Sequence, residues 1–198
     1  MTAIPTDFFD RDIHVVARDL LGRDLVRETD GTLRSGRIVE VEVYEGSNDR
    51  ASHARTGTPT ARTAPMFADP GTLYVYTIYG IHQCLNLRAP SEIGPGAILI
   101  RACQPLQGLA AMAQSRGLAT VREKRLLRGP AMICQALHLG PEHSGLLIGD
   151  LLALHQGSPV ASDQVHRTPR IGLNRETCGT CTDRPWRYTV KDSPWLSR

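Results

Sequence analysis

The sequence contains no long apolar run. No stretch reaches the roughly 18 residues that a membrane-spanning helix needs. The N-terminus carries Asp7 and Asp10 and lacks the basic-then-apolar pattern of a secretory signal. These absences predict a protein that does not contact a membrane and resides in the cytoplasm.

Cysteines are few and do not form a paired framework. The chain has five: Cys84, Cys103, Cys134, Cys178 and Cys181. An odd, scattered set excludes the disulfide scaffold of small secreted domains and favours reduced thiols. The spacing of Cys178 and Cys181 suits a metal, but a structural zinc site needs four ligands and no second cysteine pair exists. His155 or His166 would complete such a site only by accident of folding, so we expect a turn and no metal.

Two common sets of hydrolase motifs are also missing. The sequence has no glycine-rich phosphate loop of the Walker type and no G-x-S-x-G elbow. Their absence argues against nucleotide hydrolysis and serine-type acyl transfer.

Length and composition predict one globular domain over residues 1–198. Apolar residues make up 41% of the chain and charged residues 22%, which is ordinary for a folded protein. The net charge of +3 is unevenly placed, because six basic residues against one acid, Glu123, lie between Arg101 and Arg128. Such a stretch suits a polyanion, although a solvated helix face explains it equally well.

Hydrophobic periodicity predicts helices and consecutive strands. Phe9, Ile13, Val16 and Leu20 follow helical spacing, with Thr6 as the expected N-cap and Gly22 as the stop. Strands are predicted over 24–27, 36–44, 72–79, 84–88 and 97–102, with turn signals at Asp30-Gly31, Gly80, Pro90, Gly94 and Pro95. On the second strand, Val39, Val41 and Val43 should share one face and Glu40, Glu42 and Tyr44 the other.

The rest of the chain completes the predicted fold class. Residues 46–70 form a polar loop long enough to be functional. Helices are expected over 106–114, 121–127 and 130–139, a strand over 146–154, and an irregular tail from Arg167. Strand following strand predicts an α+β protein, a single compact domain with a curved, mostly antiparallel sheet flanked by helices.

The residues between Arg37 and Arg101 suit hydrolysis of a bond to an aromatic ring. Glu42 can activate a water molecule. Aromatic faces at Tyr44, Tyr76 and Tyr79, with His53, can hold a flat substrate. The amide of Asn86 and the guanidinium of Arg101 can orient both reactants. Taken singly, Glu42 and Arg101 would more often be a solvated carboxylate and a surface ion pair.

Several segments closely resemble the alkyladenine (3-methyladenine) DNA glycosylase family of mammals and many bacteria. They extend over nearly the whole chain in matching order and spacing: Gly36–Tyr44, Ala51–His53, Met66-Phe67, Pro70–Gly80, Asn86, Gly96–Arg101, Arg128–Leu137 and Ser193–Ser197. The resemblance implies an enzyme that flips a damaged purine out of duplex DNA and hydrolyses its N-glycosidic bond, as in base excision repair.

The resemblance also implies roles for single residues. Glu42 matches the general base that deprotonates a water molecule, and Arg101 matches a residue that holds the water and the carboxylate. A backbone carbonyl near Ile171 would be a third contact of that water. Tyr44 and Tyr76 match the two aromatics that sandwich the flipped base, with His53 as a further wall of the pocket.

The remaining matches concern selectivity and the DNA groove. Asn86 matches an amide that crowds the 2-amino group of guanine. Tyr79 matches a wedge that enters the minor groove and fills the gap left by the flipped nucleotide. Ile81 and His82 follow where the family varies, and we expect both to line the minor groove.

The expected partner is double-stranded DNA containing alkylated, deaminated or etheno purines. The protein should be a monomer without metal or organic cofactor, associated with the nucleoid while bound to DNA. Two alternatives stay open at this point: a non-catalytic binder of damaged or bent DNA, and a hydrolase of small nucleosides.

Overall fold

The computed structural model describes residues 2–198 as an open antiparallel sheet with helices packed on it. The strands are β1 (Asp24–Thr29), β2 (Thr32–Tyr44), β3 (Leu73–Ile78), β4 (His82–Ser91), β5 (Gly94–Gln107), β6 (Ala153–His155), β7 (Val165–Thr168) and β8 (Arg187–Val190). The α-helices are α1 (Ile13–Leu20), α2 (Leu109–Ser115), α3 (Pro130–Ala136) and α4 (Arg175–Cys178). The predicted α+β class with an antiparallel sheet is confirmed.

The long strand β2 organises the sheet. The order is β3-β4-β5-β2-β1-β6, and β8 pairs with both β2 and β7. The first half of β2 pairs with β1, whereas residues Glu40–Glu42 pair with β8. Its other edge pairs with β5 along nearly its whole length. The segment around Glu42 is therefore held on both sides by neighbouring strands.

The two faces of the sheet bury different kinds of side chain. Alternate residues of the central strands belong to the main hydrophobic core: Val41, Val43, Leu73, Val75, Leu85, Leu87, Ile98 and Ile100. Helix α1 adds Ile13, Val16 and Leu20 to that core. A Cβ at Gly96 would collide with the Ile13 side chain, so glycine permits this close approach. The intervening residues, among them Glu42, Tyr74 and Asn86, point to the opposite face.

Helix α1 begins later than predicted. Asp12, not Thr6, is the N-cap, and its carboxylate accepts bonds from the backbone amides of His14 and Val15. Residues Thr6–Phe9 form a separate 3₁₀ turn. An aspartate at the cap satisfies two backbone donors at once, which the periodicity of the apolar residues did not reveal.

Other predicted boundaries were wrong for identifiable reasons. Pro90 and Pro95 face each other inside the β4–β5 hairpin, so the turn lies at Glu92 and Ile93. The helix expected over 121–127 is only a 3₁₀ turn, Glu123–Arg125. Of the strand expected over 146–154, only Ala153 and Leu154 belong to a strand of the sheet, β6, which continues to His155. The tail expected to be irregular contains β8, which completes the sheet beside Glu40 and Glu42.

Candidate functional site

Glu42 is a buried carboxylate in the middle of β2. It pairs in register with Leu99 of β5 and Arg187 of β8, and no part of it is exposed to solvent. One oxygen, Oε1, accepts a bond from the Ile171 amide at 2.7 Å. The other, Oε2, accepts from the Tyr44 hydroxyl at 2.9 Å and lies 3.5 Å from Nη1 of Arg101.

The surroundings raise the pKa of Glu42 above its ordinary value. Burial is the main cause, since it penalises the ionised form. Arg101, the Ile171 amide and the Tyr44 hydroxyl oppose this rise, and the nearby charge of Glu40 adds to it. A carboxylate whose pKa is raised binds a proton more tightly, which suits a general base.

Two irregularities of the sheet place Arg101 beside the carboxylates. The β2–β5 register shifts between Ile38 and Glu40 and again between Glu40 and Val41. The second shift leaves Arg101 without a partner in the register, and β-bulges of this kind redirect side chains. Because of the first shift, Ile38 belongs to the main core together with Val41 and Val43. Val39 is not part of that core, so the prediction that it shares a face with Val41 and Val43 was wrong.

Glu40 is a second buried carboxylate that the sequence prediction did not single out. It accepts bonds from Arg187 Nε at 2.7 Å and from the amide and hydroxyl of Ser197 at 2.7 and 2.9 Å. Nε of Arg101 lies 3.1 Å from the same carboxylate and donates to the Ser197 hydroxyl. Glu40 therefore fixes Arg101 and binds the C-terminal segment to the site. The alternation along β2 was the available signal, because it put Glu40 on the face of Glu42.

An aromatic pocket lies next to the carboxylates. Its lining residues are Tyr44, Ala51, His53, Met66, Tyr74, Tyr76, Asn86 and Ala97. The structure thus brings together four residues predicted for a base-binding pocket: Tyr44, His53, Tyr76 and Asn86. Ala51, His53 and Met66 come from the long loop over residues 46–70, so that loop forms one wall.

Tyr74 is a pocket residue that the sequence analysis missed. Its hydroxyl bonds His53 Nδ1 at 2.8 Å, and its ring centroid lies 5.3 Å from that of Tyr76. The His53 ring stands edge-on to Tyr76 at 4.7 Å. Burial, with the nearby charges of Arg62 and Arg55, lowers the pKa of His53, which favours a neutral imidazole at this wall.

The side chain of Asn86 has a fixed orientation at the buried end of the pocket. Its Nδ2 donates to the backbone carbonyls of Tyr74 at 3.0 Å and Cys84 at 3.3 Å. Because two carbonyls require the amino group there, the oxygen Oδ1 is the atom left for a ligand. The predicted crowding of the guanine 2-amino group by this side chain stays a prediction.

The β3–β4 hairpin presents Tyr79 to solvent. Tyr79 is 84% exposed and adopts a left-handed backbone conformation with φ of 55°, which is uncommon for a bulky residue. Ile81, two residues on, is 68% exposed. His82 is half-buried, and its buried Nδ1 has no hydrogen-bond partner among residues 2–198.

The structure adds a contact at Ile171 that was not predicted, and the predicted water contact of a backbone carbonyl there stays a prediction. The Ile171 amide N–H donates directly to Glu42. The neighbouring residue Arg170 is buried and bonded to Asp49, so this part of the tail is firmly held.

No metal centre is formed by the residues that the structure describes. Among residues 2–198, no group of three or more histidine, cysteine, aspartate or glutamate side chains could hold an ion. Cys178 and Cys181 are free and buried, at the end of α4 and in the following 3₁₀ turn. No helix within these residues is both long and apolar enough to cross a bilayer.

Comparison with known proteins assigns the chain to a family. A profile of the methylpurine-DNA glycosylase family matches residues 7–194. A protein of Anaeromyxobacter dehalogenans, provisionally named 3-methyladenine DNA glycosylase, is 41% identical over 98% of this chain and 85% of its own length. A protein of Clostridium perfringens with the same provisional name is 36% identical over 97% of both chains.

A mammalian relative supports the same assignment. The DNA-3-methyladenine glycosylase of Mus musculus is 40% identical over 96% of this chain, which spans 60% of the mouse protein. The site combines a buried acid with an aromatic pocket on an open antiparallel sheet. The chain belongs to the methylpurine-DNA glycosylase family.

Proposed function

We propose that the protein is a monofunctional DNA glycosylase that removes alkylated purines, and also deaminated or etheno purines, from duplex DNA. The observation that carries the proposal is a fully buried carboxylate, Glu42, hydrogen-bonded to an aromatic residue of the adjoining pocket, Tyr44. We propose residues 1–198 as one glycosylase domain that acts as a monomer without a cofactor. Its substrate would place the cytoplasmic protein on the nucleoid during repair.

The first step would be extrusion of the damaged nucleotide. A base inside the duplex cannot reach a pocket on the sheet, so it must leave the stack at a cost of a few kcal/mol, which is smaller for weakened pairs. Tyr79 would enter the gap from the minor-groove side, with Ile81 and His82 beside it. The exposure of Tyr79 and Ile81 on one hairpin supports this assignment.

The second step would be recognition between aromatic faces. Tyr44 and Tyr76 would stack on the purine, and His53 would form a third wall. Purines alkylated at N3 or N7 carry a positive charge, which an aromatic face attracts more than it attracts a neutral ring. Stacking is worth about 1–3 kcal/mol per base. Crowding by Asn86 would oppose the 2-amino group of guanine.

The third step would be hydrolysis at C1′ of the sugar. The bond from C1′ to the purine nitrogen breaks and its electron pair leaves with the base, while C1′ gains oxocarbenium character. A water molecule on the opposite side of the sugar forms the new C–O bond and passes its proton to Glu42, as in inverting glycosidases. Arg101 would hold the carboxylate and the water, and the segment at Ile171 would complete the water site.

The decisive experiment measures release of free purine from methylated duplex DNA under single-turnover conditions. We expect the wild type to release the base and Glu42→Gln to bind the same duplex while its release falls by about 10²–10⁴-fold. Glu28→Gln, the same change at an exposed position of β1, should behave as the wild type.

Two outcomes would contradict the proposal. A wild type that binds methylated duplex without releasing purine would be a non-catalytic DNA binder. A release rate from free nucleosides that is indifferent to salt would indicate a nucleoside hydrolase, because phosphate contacts must weaken as ionic strength rises.

A further inference from the structure

A buried ion pair lies behind the aromatic pocket. The side chains of Arg170 and Asp49 are both fully inaccessible to solvent. Both terminal nitrogens of Arg170 bond the Asp49 carboxylate, and they also donate to the Val43 carbonyl at 2.9 Å and the Cys181 carbonyl at 3.1 Å. Asp49 belongs to the long loop and Arg170 to the tail, so the pair joins two segments that both contribute to the site.

The guanidinium of Arg170 stacks on Tyr44. Its central carbon lies 4.6 Å from the Tyr44 ring centroid and 5.1 Å from that of Trp186. Tyr44 lines the aromatic pocket and Arg170 does not. The cation therefore lies on the side of the Tyr44 ring turned away from the pocket, where no flipped base can reach it.

A cation behind the ring affects what the front of the ring can bind. An aromatic face attracts a cation through its quadrupole, and a second positive charge across the ring opposes that attraction. At the effective dielectric of protein interiors, two like charges separated by a stacked ring repel enough to change binding by on the order of ten-fold. A neutral purine would not be subject to this repulsion. The Asp49 carboxylate is bonded to both terminal nitrogens of Arg170, so it cancels most of the positive charge of Arg170.

We propose that the Asp49–Arg170 pair determines the charge selectivity of the pocket. Arg170 fixes the Tyr44 ring as a stacking surface, and Asp49 neutralises Arg170 so that cationic alkylated purines are accepted alongside neutral damaged ones. Both are positioning residues that act through Tyr44 without touching the substrate. The inference rests on the proposed function and adds to it a chemical basis for substrate range.

The test compares two lesions in duplexes of the same sequence. Single-turnover release of 3-methyladenine, which is cationic while it is attached to the sugar, is divided by release of hypoxanthine, which is neutral; neither base carries a 2-amino group. Asp49→Asn keeps the shape of the side chain and removes its charge, so this ratio should fall by about ten-fold. The double variant Asp49→Asn/Arg170→Gln removes both charges and should return the ratio to within about two-fold of the wild type, even where both absolute rates are lower.

A matched control comes from an exposed pair of the same residue types. Asp183 receives two bonds from Arg175, at 2.7 and 3.0 Å, on the protein surface. Asp183→Asn should leave the ratio unchanged. An equal loss on both lesions in Asp49→Asn would show that the pair is only a structural clamp and would overturn the proposal.

A second variant guards against a failure of Asp49→Asn to fold. Arg170→Gln removes the positive charge behind the Tyr44 ring and keeps the Asp49 carboxylate, so the ratio should shift the other way, toward the cationic lesion. An unchanged ratio in Arg170→Gln would overturn the proposal. Failure of the proposed function itself is distinguishable, because the wild type would then release neither base.

Discussion

Replacing Glu40 by glutamine should destabilise the protein strongly, although Glu40 lies outside the aromatic pocket. The side chain is completely buried and accepts bonds from Arg187 and from two groups of Ser197, with Arg101 at 3.1 Å. Glutamine removes the negative charge. It also turns an amino group toward donors, so that at least one buried donor loses its acceptor.

The structure sets the size of the effect. Removing one partner of a buried ion pair costs about 3–5 kcal/mol, because the remaining charge stays uncompensated. The side chains of Arg101 and Arg187 are each only 12% exposed, so water can replace little of what is lost. For a chain of this length, about 1 kcal/mol corresponds to a shift of roughly 2–4 °C in the melting temperature. The expected decrease in Tm is therefore about 6–20 °C.

Thermal unfolding followed by circular dichroism measures this decrease. Glu28→Gln is the control, because Glu28 is exposed on β1 and its substitution should change stability by no more than about 0.5 kcal/mol. At temperatures where Glu40→Gln is folded, purine release should also be slower, since Arg101 loses the contact that holds it. A Tm for Glu40→Gln equal to that of the control would refute the view that Glu40 anchors the site.

The remaining predictions concern Tyr79, the proposed wedge, and Glu42, the proposed general base. Tyr79→Ser should leave Tm nearly unchanged, because the ring is 84% exposed. The same substitution should weaken binding to lesion-containing duplex by about five-fold or more. A large decrease in Tm would instead assign the ring to the core. The release rate should fall about ten-fold per pH unit below the raised pKa of Glu42, because the base must be ionised. Stability should have the opposite dependence: the raised pKa makes the folded state bind the proton more tightly, so the free energy of unfolding decreases as pH rises through that pKa. Relief of this unfavourable burial of charge should offset part of the loss of acceptors in Glu42→Gln, so at neutral pH its Tm should fall less than that of Glu40→Gln, and an equal or larger fall would contradict this assignment.

The sequence was most informative where local pattern and tertiary structure agree. Alternation along β2 predicted that Glu42 and Tyr44 share a face, and the hydrogen bond between them confirms it. The consecutive strands predicted an antiparallel sheet, which the pairing also confirms. The resemblance to glycosylases selected residues that meet in one pocket, although their catalytic and binding roles stay predictions.

The sequence was least informative where structure depends on distant partners. Strand β8 has only four residues, so although Tyr188, Thr189 and Val190 favour a strand, the run is too short to predict one by itself. Pairing with β2 and β7 makes it a strand. The same holds for Arg170 and Asp49, which are 121 residues apart in the chain. The periodicity of apolar residues shows which residues share a face of one helix or strand. It carries no information about contacts between residues that are far apart in the chain.

The two buried carboxylates of β2 have different contacts, and the difference bears on the proposed base. Glu40 and Glu42 share a face and are equally buried, so burial alone cannot give them different roles. Their donors differ: Glu40 lies within 3.1 Å of two guanidinium groups, whereas Glu42 has one guanidinium at 3.5 Å and otherwise a neutral amide and a neutral hydroxyl. The contacts of Glu40 hold two arginines and the C-terminal segment together, whereas those of Glu42 leave it beside the aromatic pocket through Tyr44. Glu40 thus serves as the anchor, and Glu42, contacted by the Arg101 side chain that Glu40 holds, is the carboxylate of this pair that fits the proposed base.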